Sequence, residues 1–322
     1  MSVRRTHLAF FAAAILPLVA ACGSDKRPVT TTIRGSSSTH TVSVTTDSGS
    51  PSETVTETTA ATVPASYVEA EAAYTARKYA DAADLFGSYT RANPENPWGH
   101  YMHGLSAWKA GDPEQAMTSF DEALRLDPQH RKSLLNSARV LLDTGRPREA
   151  LERVERAMAL EPLSAEGLRL LGRARYEMKQ IPEAIDAYQR AIALDERDVW
   201  AMNNLGLIYI QQDRSEAALP ILAHAVELRS DSPVFQNNLG TALERTGHFA
   251  AAGKAYESAL AVDSTYGKAS ASLARVTPLA ATDTSTVDLS ALVSEFRAEV
   301  ERWQDISVAE DSTAQPDSAV VQ

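Results

Sequence analysis

The sequence predicts an all-α solenoid of about six stacked helix pairs with a C-terminal capping helix, on three observations. The first is a period: alanine recurs at Ala82, Ala116, Ala150, Ala184, Ala218 and Ala252, each 34 residues after the last. A repeat of this length signals a stack of identical units, each too small to bury its apolar face alone. The second is matched sizes. Twelve residues before each alanine stands a small residue (Ala70, Gly104, Ala138, Gly172, Gly206, Gly240), and four residues after it a bulky one (Phe86, Phe120, Val154, Tyr188, Leu222, Tyr256). Two helices that cross closely need small side chains where backbones meet and a large one beside them. The third is helix punctuation. Asp112-Pro113-Glu114 reads as an N-cap with a first-turn proline, Pro147 and Pro182 repeat it, and Gly111, Gly145 and Gly247 occupy the preceding turns.

The elements follow in chain order. Residues 1–21 read as a signal peptide: Arg4 and Arg5 precede an apolar stretch from Leu8 to Ala21, whose 14 residues fall short of the roughly 20 that span a bilayer. Val19-Ala20-Ala21-Cys22 resembles the bacterial lipobox, which implies cleavage before Cys22 and acylation of its thiol. Cys22 is the only cysteine, so no disulfide can form within one molecule. Two or more acyl chains hold a protein stably on a membrane. The expected location is therefore extracytoplasmic, on the periplasmic face of an outer membrane or the outer face of a cytoplasmic membrane. From 22 to 62 the chain reads as a disordered tether, because 19 of the 34 residues from Val29 to Thr62 are Ser or Thr and little can be buried.

Six units are expected at 63–96, 97–130, 131–164, 165–198, 199–232 and 233–266, each a first and a second helix. After Tyr266 a seventh first helix begins, with Ala274 at the small position, and Pro278 is expected to end it. From Val287 to Gln304 an apolar stripe of Leu289, Leu292, Val293, Phe296, Val300 and Trp303 predicts a helix that caps the last open face, within a terminal region of 267–304. The tail from 305 to 322 has four acidic residues and no basic ones and is expected to be disordered.

Residues Trp98 to Pro128 and Trp200 to Ala225 resemble the tetratricopeptide repeat almost position for position, and the resemblance extends over about 200 residues. It implies a right-handed solenoid whose first helices line a concave groove, so that the second, fifth, sixth, ninth and twelfth residues of each unit face a ligand. In unit two these include Trp98, Tyr101 and Trp108; in unit three, Lys132, Asn136 and Arg139; in unit four, Arg169 and Arg173. Units five and six contribute Trp200, Asn203, Asn204, Asn237 and Asn238, and Arg245 closes the set. Aromatic side chains and arginine are enriched in binding surfaces. Lys132, Arg139, Arg169 and Arg173 form a basic cluster suited to a carboxylate. Asn136, Asn204 and Asn238 share one repeat position, similar to an asparagine ladder that grips a peptide backbone. The alternative is that the asparagines cap local turns while the arginines pair with Glu166 and Glu177.

A net charge of −11 argues against nucleic acid and anionic membrane surfaces as partners. His100 and His103, at a spacing of three, lack an evident third ligand, and no phosphate loop, nucleophile elbow or His-Glu-x-x-His pattern occurs. No catalysis, cofactor, metal or small-molecule substrate is expected. The expected role is a membrane-anchored scaffold that binds peptide segments of other proteins during assembly of an envelope complex; a regulatory or substrate-presenting subunit of an envelope enzyme, such as a cell-wall hydrolase, is the alternative.

Overall fold

The computed structural model describes residues 65–314, with side chains through Asp305; the expected signal peptide, Cys22 and the tether lie outside the described residues. Twelve helices form six antiparallel pairs: α1 (Tyr67–Thr75) with α2 (Tyr79–Ala92), α3 (Pro97–Ala110) with α4 (Pro113–Leu126), and α5 (Arg131–Asp143) with α6 (Pro147–Leu160). They continue as α7 (Ala165–Glu177) with α8 (Ile181–Leu194), α9 (Val199–Gln211) with α10 (Ser215–Leu228), and α11 (Pro233–Arg245) with α12 (Phe249–Val262). Two more helices follow, α13 (Gly267–Ala280) and α14 (Leu289–Ala314). From α1 to α13 each helix packs on the next, and from α3 onward first helices also touch first helices of adjacent units, which makes the architecture an all-α solenoid. No helix among the described residues is long and apolar enough to cross a membrane.

The size matching has a direct geometric cause. A Cβ placed on Gly206 would stand 2.6 Å from Leu222 Cγ, and one on Gly240 would stand 2.6 Å from Tyr256 Cε1. The recurrent alanines are fully buried in all six units, with Phe86, Phe120, Val154, Tyr188, Leu222 and Tyr256 beside them at 0–1% exposure.

Capping differs between the two kinds of helix. Every first helix of the six units has a side-chain cap: Ser66, Asn96, His130, Ser164, Asp198 and Ser232 each accept a backbone N–H from the first turn. Second helices begin after a left-handed residue, and of the six only α4 adds a side-chain cap, Asp112 accepting the Gln115 N–H at 2.9 Å as the sequence predicts. Glycine holds the left-handed position in three turns (Gly111, Gly145, Gly247), while Arg77, Lys179 and Asp213 hold it in the others at φ of 57–65°.

The C-terminal region departs from expectation. Pro278 does not end α13, which continues to Ala280; the carbonyl that loses its N–H partner belongs to Ala274, on a face that no further helix covers, where water can satisfy it. That open face also explains why Ala274 is exposed despite its small-residue register. Helix α13 closes the stack by packing on α12, and α14 does not cap it. Instead α14 folds back over the second helices α8 and α10. It is also longer than the stripe implied: residues 305–314, expected to be disordered, continue the helix.

The reason lies in α10. At its outward positions the second helices of units two, three and six carry Thr118, Asp121 and Glu122; Glu152, Glu155 and Arg156; and Lys254, Glu257 and Ser258, whereas α10 carries Pro220, Ala223 and His224. Those three are buried, because Val293, Phe296 and Val300 of α14 join the same core cluster.

Candidate peptide-binding groove

First helices α3, α5, α7 and α9 enclose a concave pocket of about 920 Å³. Tyr101, Leu105, Trp108 and Lys109 from α3 form one end, and Trp200, Asn204 and Leu207 from α9 the other. Between them lie Lys132, Asn136 and Arg139 of α5 and Arg169, Arg173 and Tyr176 of α7, with Tyr188 of α8 at the back. Of the residues expected to bind, nine line this pocket: Tyr101, Trp108, Lys132, Asn136, Arg139, Arg169, Arg173, Trp200 and Asn204. Asn203, Asn237, Asn238 and Arg245 lie outside it, and Trp98 stands on its rim at 46% exposure, edge-on to Tyr101 and to His130.

The arginines are already paired. Arg139 Nη2 donates to Glu166 across α5 and α7, Arg173 Nη1 to Asp143 at 2.8 Å in the opposite sense, and Arg173 Nε to Glu177 at 3.0 Å. Arg169 Nε reaches Asp198, the cap of α9, at 2.8 Å. For Arg173, burial works against the charge, but the hydrogen bonds and charges of Asp143 and Glu177 prevail and hold its pKa up. Asp143 and Glu177 occupy the thirteenth position of their units, as do Lys109, Gln211 and Arg245. At this position Lys109, Asp143 and Glu177 line the groove, and the change from a cation in unit two to carboxylates in units three and four is the signal in the sequence for the ionic pairs.

Two cations are left. Lys109 and Lys132 have no carboxylate partner among the described residues; their ammonium groups sit over Trp108 and Trp98, at 4.9 and 5.1 Å from the ring centroids. Cation–π contact of this kind leaves the ammonium's outer side to solvent.

The asparagines do not form one ladder. Asn136 Nδ2 donates to the Lys132 carbonyl at 2.9 Å while its Oδ1 accepts from Arg139. Asn204 Nδ2 donates to the Tyr188 hydroxyl at 3.2 Å. Asn238 bonds neighbouring amides: its Nδ2 donates to Asn203 Oδ1 at 2.8 Å and its Oδ1 accepts from Asn237 at 3.4 Å, leaving Asn237 Oδ1 buried without a protein partner. Arg245 is taken by Ile210 O and Asp213.

Burial favours the neutral forms of the groove's tyrosines and of the neighbouring His130. Burial raises the Tyr101 hydroxyl to about 12 and raises Tyr188 as well. His130, buried beside Trp98 and Tyr101, accepts the Ser133 N–H at Nδ1, which puts the proton of its neutral ring on an unpartnered Nε2. Burial lowers its pKa. His100 and His103 do not converge: His100 Nε2 meets the Pro94 carbonyl and His103 Nδ1 the Ser119 hydroxyl. Among the described residues no group of three or more metal-ligating side chains occurs.

Comparison with known proteins decides the family. Models described as tetratricopeptide repeat match residues 67–131, 107–174, 199–230 and 235–266, and one described as TPR repeat matches 172–213. The chain is a tetratricopeptide-repeat protein. No curated protein matches it in sequence. Among solved structures, a tetratricopeptide-repeat protein from Parabacteroides merdae aligns over 65% of this chain and 82% of its own length, at 11% identity and a TM-score of 0.55. The Cut9–Hcn1 assembly of the APC/C aligns over 64% of this chain and 41% of that one, at 19% identity and a TM-score of 0.59. Both likenesses show the repeat fold. MamA from Desulfovibrio magneticus RS-1 is 25% identical over 50% of this chain and 91% of its own, with a TM-score of 0.46.

Proposed function

We propose that this tetratricopeptide-repeat protein is a non-enzymatic scaffold that binds peptide segments of other proteins in its concave groove, and that lipid on Cys22 anchors it outside the cytoplasm. The observation that carries the reading is the groove itself: about 920 Å³ walled by Tyr101, Trp108, Tyr176 and Trp200, with Lys109 and Lys132 as its uncompensated cations. Aromatic walls offer contact area at low entropic cost, and a peptide backbone N–H finds an acceptor in the half-buried Asn204 Oδ1, whose Nδ2 is held by Tyr188. Because Arg139 and Arg173 already hold carboxylates, an acidic group of the ligand is received by the two lysines near α3. The lipobox resemblance at Cys22 and the Ser/Thr-rich stretch after it support anchoring through that segment. Assembly of an envelope complex is the role that fits such a placement.

Peptides selected from a random library on the full chain provide the test. Trp200→Ala with Tyr176→Ala should weaken them at least tenfold, and Lys109→Gln with Lys132→Gln should weaken acidic peptides selectively; unchanged affinity in both variants would refute groove binding. For the anchor, Cys22→Ala should shift the protein from the membrane to the soluble fraction, and an unchanged distribution would remove lipidation from the account.

A further inference from the structure

Outside the groove, the least ordinary surface is the one beneath α14. The back of α10 is apolar where its counterparts are charged, and Ile221, Ala223 and His224 there are 1–5% exposed. Helix α14 inserts Val293, Phe296 and Val300 into this surface, at spacings of three and four residues that put them on one helix face, with Trp303 edge-on to Phe296 at 5.7 Å. Polar contacts fix the register. Arg297 Nη2 donates to Glu227 at 2.8 Å, Glu227 also holds His224 Nδ1 at 2.9 Å, and Gln304 Nε2 donates to the Ala193 carbonyl at the end of α8 at 3.1 Å.

We propose that the outer surface of α8 and α10 is a second binding site, on the side opposite the groove, which takes an amphipathic helix, and that α14 is its resident and displaceable occupant. The footprint of α14 states the ligand's chemistry: a partner helix with apolar residues in the places of Val293, Phe296 and Val300, an arginine for Glu227 and a side-chain amide for the Ala193 carbonyl.

Displaceability follows from topology. In a solenoid each unit is stabilised by the units on either side. Helix α14 belongs to none of those interfaces: it joins α13 through residues 281–288 and docks on α8 and α10, with hydrogen bonds to residues 70 and 111 positions earlier. Its departure therefore separates no repeat from its neighbour. The connection is held at two points: Asp283 accepts the Ala250 N–H at 2.8 Å at the start of α12, and Val287 packs against the core cluster. Closure within one chain also leaves a second copy nothing to add, so the occupant expected in trans is a helix from another protein. A tethered helix competes at an effective concentration near the millimolar range, so a free helix binds the closed chain much more weakly than an opened one.

The probe is a synthetic peptide of residues Leu289 to Asp305, titrated against the full chain. Phe296→Ala should open the seat, and the peptide should bind that variant at least about tenfold more tightly than it binds the parent, with helicity and amide protection of α9 retained. Should Phe296→Ala lose the fold, Arg297→Ala with Gln304→Ala, both at the rim, serves in its place. In the parent chain, amides of α14 should exchange as one unit far faster than those of α10. Equal peptide affinity for closed and opened chains, α14 protection equal to that of α10, or a dimer that exchanges α14 between copies would each overturn the proposal.

Discussion

Between α5 and α7 the solenoid presents charge in pairs: Arg139 with Glu166, Arg173 with Asp143 and Glu177, all partly open to solvent. Between α8 and α10 it presents Ile221, Ala223 and a buried His224, closed off by Phe296. One face is held by exchangeable polar contacts and the other by removal of apolar area from water. Half-exposed ion pairs contribute about 0–1 kcal/mol each, whereas a buried phenylalanine contributes several times that. A surface whose own contacts are weak can trade them for a ligand at little cost to the fold. The apolar seat cannot stand open so cheaply, which is why the chain covers it.

Three substitutions test this contrast, in falling order of effect. Phe296→Ala should cost about 3 kcal/mol in the protection of α14, read by hydrogen exchange, because Phe296 is fully buried; a loss below about 1 kcal/mol would make the seat no stronger than the groove. His130→Asn bears on the packing behind the groove, where His130 stacks against Tyr101 of its wall. Burial depresses the folded-state pKa of His130 and of His103 below the ordinary value near 6.5, so their contribution to stability is complete above that value and is lost as pH falls through the folded-state values. The melting temperature of the parent should therefore fall as the pH drops below about 6.5, and asparagine, which keeps the cap of α5 without titrating, should flatten part of that slope. An identical slope in the variant would show that His130 does not titrate there. Arg173→Met should be the mildest, changing stability by less than about 1 kcal/mol in denaturant unfolding, since both of its ion pairs are part-exposed. A larger loss would mean that the paired charges build the groove's shape rather than decorate it.

The repeated units were legible because their cause is local and recurs: Gly206 and Gly240 leave room for Leu222 and Tyr256 at a fixed offset, and the same offset appears in every unit. The aromatic part of the groove was legible for the same reason, since Tyr101, Trp108 and Trp200 stand at positions that the repeat turns inward. The ionic part was not. Arg173 meets Asp143 from the unit before it, and such a pair depends on how far one unit is rotated against the next, which no single unit encodes. Asn136, Asn204 and Asn238 share a register and still find three different kinds of partner, because Lys132 O, Tyr188 and Asn203 are supplied by their separate surroundings. For α14, the stripe through Phe296 stated that a partner was needed but not which. The missing half stood in α10, where Pro220, Ala223 and His224 replace the polar residues of the other units.

The account turns on which face meets other proteins when the groove is free to act. A photo-crosslinking residue introduced at Leu207, inside the groove, and separately at Glu152, on the exposed outer face of α6, compares the two in intact cells. The account predicts protein adducts at Leu207 that disappear with Trp200→Ala and Tyr176→Ala, and none above background at Glu152. Adducts at Glu152 alone, or adducts at Leu207 that survive the aromatic substitutions, would contradict it.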